Sequence, residues 1–475
     1  MKDLFDIAVI GSGPGGYRAA VLAALRGQRV AIVEKGEWGG CCLNRGCVPK
    51  KDWHYSARLI AASRSFATRG ISGRFDVDLA QAWNHQKAVV RRVQESYLDY
   101  MKRLGVATFH GIATLESSHS LRIRAPTDEY LIEAKNTIIA TGSRPSIPSE
   151  FKPLSRRVLT TDMLFDASPP PGRRVAVIGG GFIGAEFAFI LAMFGLEVQW
   201  IVRRAPLART LFSAQALNTL KQAMLSYGVE PIENAVIERC EQNRDGVSVL
   251  LSGGRRFATD WLLLGTGRVP VTDELALEKV GVKLDERGFI QVNDWLQTTA
   301  PNIYAIGDCI SDHMTANHAM ADAGVVVHNI LAGSARDAWR QRDVLWVPEV
   351  IYSAVEMARI GLNEDLAEES GLEPAVGFAA FDTSPCALGQ DDARGFVRLI
   401  ADLDSGALLG GEVVGSEAGE LIHILSLAPD HATALHWLAR AKVNHPARAE
   451  EFVNAAETLA SKWGLQSRVF GTAGP

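Results

Sequence analysis

Two strand–glycine turn–helix units 168 residues apart, a cysteine-rich stretch after the first, and a last part (346–475) with no such unit together predict an α/β fold. The predicted architecture is two Rossmann-like dinucleotide-binding domains followed by a C-terminal α+β domain. A chain of 475 residues is too long for one core and suggests two to four domains. The sequence suggests segments 1–150, 151–271, 272–345 and 346–475.

Composition excludes several classes. Apolar residues make up 47% and charged residues 22%, as in a water-soluble globular protein. The net charge of −5 gives no basis for nucleic-acid binding. No apolar run approaches the roughly 18 residues of a membrane span. The N-terminus lacks a signal peptide's long apolar run and cleavage site. It reads as the first strand of the fold, from Met1 into the glycine turn. Six cysteines are too few for a disulfide framework, which points to the cytoplasm, although a removed organelle transit peptide stays open. No metal site is expected.

The first unit is the apolar run 5–10, then Gly11-Ser12-Gly13-Pro14-Gly15-Gly16, an Ala-rich helical stretch from Tyr17 to Arg26, and a strand over 29–33 ending at Glu34. Gly11, Gly13 and Gly16 allow a tight turn and close approach of backbone to a pyrophosphate at the helix N-terminus. Glu34, 18 residues beyond Gly16, is placed to accept from a ribose hydroxyl, and Lys35 follows it.

Next comes Gly39-Gly40-Cys41-Cys42-Leu43-Asn44-Arg45-Gly46-Cys47-Val48-Pro49-Lys50-Lys51, expected to open a second helix running through Ile60. Cys42 and Cys47 are the candidate redox-active disulfide. Residues 85–104 read as a helix whose stripe Val89, Val93, Tyr97 and Met101 suits core packing or an interface. Short β-like runs over 106–140 lead to Thr141-Gly142-Ser143, small residues that suit a backbone close to a ligand. Pro145, Pro148 and Pro153 suggest a linker.

At Val175 the pattern restarts, with Gly179, Gly181 and Gly184, a helical stretch from Ala185 to Phe194, and a strand over 198–202. Glu34 lies 23 residues after Gly11. The matching residue after Gly179 is Val202, followed by Arg203 and Arg204, with Arg209 close behind. Guanidinium groups bind a ribose 2′-phosphate, whereas a carboxylate would repel it. The second site is therefore expected to prefer NADP(H) over NAD(H); a solvated surface run is the plainer alternative. Residues 229–265 read as strands, ending before Gly267. A strand over 302–306 ends at Gly307-Asp308, and a helix follows from about Ala316 to Leu331. β-rich runs are expected at 347–352, 375–381, 396–401 and 408–414, then helices.

With these residues in view, the chain resembles the FAD-dependent pyridine nucleotide–disulfide oxidoreductases, the group of dihydrolipoyl dehydrogenase and glutathione reductase. The resemblance rests on both glycine units, Cys42 to Lys51, Ala140-Thr141-Gly142, Glu186, Gly307-Asp308 and His445-Pro446-Ala447-Arg448-Ala449-Glu450. It implies FAD at the first unit, held by Gly11, Gly13, Gly16, Glu34, Lys35, Thr141, Gly142, Gly307 and Asp308. It places Lys50 or Lys51 beside the flavin, paired with Glu186. It places the nicotinamide coenzyme at Gly179, Gly181, Phe182, Gly184, Glu186 and Gly267. It also implies a homodimer with a shared active site. Cys47 would be the thiol nearest the flavin and Cys42 the exchanging one. His445 would be the acid–base, with Glu450 orienting its ring. Three departures stand out: Cys41, where relatives carry Thr or Val; Ala447, where they carry Thr; and Phe182, where many carry Tyr. Cys41 reads either as an inert buried thiol or as one that shuffles with the pair. Cys240, Cys309 and Cys386 read as unpaired, and His318 as structural.

The sequence favours a dihydrolipoyl-dehydrogenase-like enzyme acting on a small-molecule or lipoyl-protein dithiol or disulfide. The runner-up is an NADPH-dependent reductase of a low-molecular-weight disulfide such as glutathione disulfide. From other classes, the alternatives are a transhydrogenase or oxidase flavoprotein and a non-catalytic scaffold; both cysteines and His445 argue against them. The tail from Lys462 has no cysteine, so no second redox pair is expected.

Overall fold

The computed structural model describes residues 4–73, 76–166, 168–332, 344–428 and 430–471. Met1 to Asp3, assigned above to the first strand, and the last four residues of the tail lie outside them. The chain divides into two compact units: Met1–Trp53, Asp78–Pro171 and Leu263–Val344; and His54–Val77, Gly172–Leu262 and Leu345–Pro475.

In the first unit, Leu4–Ile10, Val30–Glu34, Ala107–His110 and Glu129–Ile139 form the parallel heart of a seven-stranded sheet. Ile303–Ala305 joins Glu129–Ile139 in parallel, Tyr304 opposite Ile138. Ile112–Ser117 and Ser120–Arg124 complete the sheet in antiparallel. Ile7 to Val9, Ala31, Ile32, Ile138 and Ile303 are almost wholly buried, as near-continuous apolar runs in a two-sided parallel sheet must be. Each such Val or Ile contributes roughly 1.5–3 kcal/mol over exposure. The helix Pro14–Ala24 begins inside the glycine turn, three residues before the sequence suggested, because proline suits a first helical turn that needs no N–H donor.

The proline-rich stretch after Thr141 is not a plain linker. Ser143–Pro145 pairs antiparallel with Arg268–Pro270, and Ser146 N donates to Gly267 O at 2.9 Å. The pairing partner lies more than a hundred residues away, where local sequence gives no sign of it.

In the second unit, Glu197–Ile201 lies in parallel between Arg174–Ile178 and Pro231–Ile232. The helix Phe182–Met193 follows the second glycine turn and is buried on nearly every face. Ile237–Gln242, Val247–Leu251 and Arg256–Thr259 form an antiparallel sheet.

The C-terminal part is an antiparallel five-stranded sheet, ordered Glu349–Tyr352, Glu356–Gly361, Leu408–Val414, Phe396–Asp402, Pro374–Ala380. The helix Glu450–Trp463 packs on it with Phe452, Ala455, Ala456 and Leu459 buried. Glu356–Gly361 was not expected. It is fully buried although it carries Glu356 and Arg359. The sheet register explains this: Glu349, Arg359, Glu412 and Arg398 lie opposite one another across four strands, alternating in sign. Arg359 reaches Glu349 at 2.9 Å and Arg398 reaches Glu412 at 3.7 Å.

Among the described residues, no helix is long and apolar enough to cross a membrane.

Candidate active site and nucleotide-binding loops

The cysteine stretch folds as a short helix, Gly40–Arg45, a break at Gly46, and a long helix, Cys47–Ala62. The single predicted helix is thus interrupted between the two candidate cysteines. A Cβ on Gly46 would stand 3.2 Å from both Cys41 O and Cys42 Cα, so this close approach favours glycine. Lys50 N donates to Gly46 O at 3.0 Å, closing the first turn of the second helix. Cys47 therefore opens that first turn. No disulfide joins any of the six cysteines. The hydrogen bond between Cys42 and Cys47, reinforced by burial, pushes the Cys42 thiol well above the ordinary range.

Asn44, not singled out above, ties this stretch together. Its amide donates to Gly40 O at 2.9 Å, Trp38 O at 3.0 Å and Glu37 O at 3.3 Å. Gln94 donates to Asn44 Oδ1 at 3.3 Å. Tyr97 stacks on Tyr17, centroids 4.1 Å apart, and its hydroxyl is raised by burial and then by the nearby Cys42 and Cys47. The helical stripe thus puts an aromatic beside the thiols, a role its spacing alone did not reveal.

Cys41 meets Arg268 Nη2 at 3.4 Å and Asp162 Oδ1 at 4.0 Å. Burial pushes its thiol up to about 11. Arg268 also donates to Ser143 Oγ at 2.7 Å and Ser143 O at 2.8 Å, and Ser143 donates to Asp308 at 2.6 Å. Gly307 N donates to the buried Asp322 at 3.0 Å. Thr141 Oγ1 donates to Val271 O at 2.5 Å, and Val271 N to Gly142 O at 2.9 Å. His318 is buried, with Nδ1 2.7 Å from Thr315 Oγ1.

The residues present fit a dinucleotide at both glycine turns. A Cβ on Gly16 would lie 1.9 Å from Gly11 O, and one on Gly184 would lie 1.9 Å from Gly179 O, so both third glycines serve close helix–turn packing. Gly13 and Gly181 have nothing within 4 Å of where a Cβ would stand, which leaves room for a pyrophosphate. Glu34 accepts from Ser12 N and Oγ and from Gly36 N, keeping acceptor capacity for a ribose. Lys35 pairs with the exposed Glu274 at 3.0 Å. Arg203, Arg204 and Arg209 are all exposed, and no carboxylate among the described residues pairs with them. Phe182 opens its helix half-buried, and Glu186, 3% exposed, accepts the Tyr352 N–H at 3.0 Å. Lys50 and Lys51 occupy the first turns of the helix after Cys47.

His445 Nδ1 lies 2.8 Å from Glu450 Oε2, and Glu450 Oε1 accepts the Ala447 N–H at 2.6 Å. The bond to His445 holds the Glu450 carboxyl below its usual range. The His445 side chain is 72% exposed.

The model for pyridine nucleotide-disulphide oxidoreductases matches residues 5–323, and that family's dimerisation domain matches 347–456. A dihydrolipoyl dehydrogenase from Staphylococcus aureus is 34% identical, covering 95% of this chain and 96% of its own. One from Thermus scotoductus is 32% identical over 96% and 97%. Among solved structures, the HOCl-induced flavoprotein disulfide reductase RclA from Escherichia coli, as a Cu(II) complex, superposes with a TM-score of 0.84. It is 26% identical and covers 96% of this chain and 99% of its own. LpdA from Mycobacterium tuberculosis shares the fold with a TM-score of 0.88 at 24% identity, over 96% of this chain and 99% of its own. The chain belongs to the pyridine nucleotide-disulphide oxidoreductases.

Proposed function

We propose that this chain is a homodimeric, FAD-dependent, dihydrolipoyl-dehydrogenase-like oxidoreductase. It exchanges two electrons between NADP(H) and a dithiol or disulfide substrate through Cys42 and Cys47. In this reading residues 1–150 and 272–345 hold FAD, 151–271 the nicotinamide coenzyme, and 346–475 the dimer interface. The side-by-side placement of Cys42 and Cys47, hydrogen-bonded to each other on either side of Gly46, carries the proposal. Bound FAD would pass the electrons of a nicotinamide hydride to the sulfur pair.

The chain's own residues do the rest. Breaking the Cys42–Cys47 bond with two electrons leaves one thiol and one thiolate after uptake of one proton. Only a thiolate attacks a disulfide, so Cys42 has to lose its proton to act. The backbone N–H of Cys47 lowers it, but the thiol–thiol bond and burial outweigh that. A base is needed, and His445 of the partner subunit, exposed and backed by Glu450, is the candidate. The Cys42 thiolate then attacks the substrate disulfide, and the imidazolium returns the proton to the departing sulfur. The Cys47 thiolate next attacks Cys42 in the mixed disulfide, re-forming the internal disulfide and expelling the second product as a thiolate, which takes a proton from solvent. Lys50 or Lys51, with Glu186, would hold positive charge near the flavin ring. The cytoplasm is the expected compartment.

Assaying lipoamide and glutathione disulfide side by side, with each coenzyme, tests the reading. Lipoamide turnover should exceed glutathione disulfide turnover, and Cys42→Ser should abolish both. Activity surviving Cys42→Ser would end it. The runner-up, an NADPH-dependent reductase of a low-molecular-weight disulfide, is favoured by the same unpaired arginines and predicts the opposite ranking.

A further inference from the structure

Arg448 stands three residues after His445 and two before Glu450, and its side chain is 5% exposed. Its Nε and Nη2 donate to Gln390 Oε1 at 3.2 and 3.0 Å. Nη2 also donates to Asp392 O at 2.7 Å and Asp392 Oδ2 at 3.1 Å. The guanidinium carbon lies 5.0 Å from the centre of the Phe381 ring. Nη1 is buried with no hydrogen-bond partner among the described residues.

A buried guanidinium is costly, and one with an unsatisfied nitrogen more so. The wall it meets is itself fixed. Phe381 is fully buried and its N–H donates to Gly395 O at 3.0 Å. Arg69 donates to Gly389 O and Asp391 Oδ2, both at 3.1 Å, holding the same loop from another side. The planar fork of an arginine sets direction as well as distance.

The loop it anchors has little else to hold it. Ala447 offers no hydroxyl, and Glu450 must both receive the Ala447 N–H and face His445. The backbone bonds Glu450 N to Ala447 O and Glu451 N to Arg448 O, each 3.2 Å, tie the two neighbours of Arg448 and Glu450 into the same turn.

We propose that Arg448 is a positioning residue for the His445–Glu450 pair: it clamps the turn between them onto Gln390 and Asp392, so that the imidazole points where the exchanging thiol of the second subunit will be. This rests on the reading of His445 as acid–base. Misplacing a catalytic group by about 1 Å can cost up to roughly 100-fold, so the clamp need only be modest to matter.

The test uses the FAD-loaded dimer and follows two half-reactions separately by stopped flow: flavin bleaching by NADPH, and reoxidation by the disulfide substrate. In Arg448→Met, bleaching, FAD content and melting temperature should stay near wild type, while reoxidation slows about 10-fold or more. The loss should appear in kcat and leave KM for the disulfide little changed. Arg448→Lys should recover only part, because an ammonium cannot form the fork. The double variant Gln390→Ala, Asp392→Ala should reproduce the loss and add little to Arg448→Met; it also serves if Arg448→Met does not fold. Wild-type reoxidation in these variants, or equal slowing of both half-reactions, overturns the proposal. His445→Ala is the control. If it leaves reoxidation untouched, the acid–base reading fails; if it slows reoxidation while the Arg448 and Gln390/Asp392 variants do not, only the clamp fails.

Discussion

Ser12 donates its backbone N–H and its hydroxyl to the same oxygen of Glu34, at 2.9 and 2.7 Å. At the matching place in the second unit, Gly180 and Val202 are merely in contact, with Val202 Cβ 3.4 Å from where a Gly180 Cβ would stand. The first turn thus holds a carboxylate at this place, and the second holds none.

The second turn should accept a 2′-phosphate. NADPH is expected to outperform NADH in kcat/KM, and Arg203→Glu should raise KM for NADPH roughly 10- to 100-fold, the range of one charged hydrogen bond lost. Steady-state kinetics with both coenzymes checks this; equal or better use of NADH by the wild type ends the assignment.

Cys41 should behave as an inert thiol. With its thiol pushed up to about 11, only about a thousandth is thiolate at pH 8. Iodoacetamide added to the reduced protein at pH 8 should label the exposed Cys47 and spare Cys41, which should gain label only as the pH nears 11. Peptide mass mapping reads the result, and co-labelling of Cys41 at pH 8 would show that it takes part in exchange.

Asn44→Ala should cost about 2–4 kcal/mol, because three carbonyls lose their donor. Asn44→Asp should cost more, since a carboxylate would face those carbonyls with no N–H to give. Melting temperature and FAD retention should fall in the order wild type, Ala, Asp.

Asp260 accepts from Arg173 N, Arg174 N and the Arg174 guanidinium, and the Arg174 bond holds its carboxyl below the usual range. A lowered carboxyl stabilises the fold above its unfolded value and loses that stabilisation as pH falls through the folded one. Asp260→Asn should therefore destabilise by about 1–2 kcal/mol at pH 7. The gap to wild type should close as the pH is lowered below about 4. Denaturant melts across that range test it, and a pH-independent gap would contradict the charge-based account.

Both glycine units were legible because their chemistry is local: each needs small residues at fixed spacing between a strand and a helix. The Cys42 and Cys47 pair and the His445-to-Glu450 motif were legible for the same reason. What escaped depends on distant partners or on backbone groups. Tyr97 read as packing because nothing in its stripe announces Tyr17 or the thiols. Asn44 bonds to carbonyls, which leave no mark in side-chain identity. Cys41 stood out, yet Arg268 and Asp162 beside it could not be foreseen. Glu356–Gly361 was missed because charges every third residue look solvent-facing until the neighbouring strands are known.

That last strand limits what can be grafted. Glu349, Arg359, Glu412 and Arg398 occupy one line across the sheet, and losing one member of a buried pair costs about 3–5 kcal/mol. A chimera that borrows a single strand from a relative, however well its apolar pattern agrees, would strand a charge in the interior. The four positions have to travel together, as a unit of inheritance larger than any one strand.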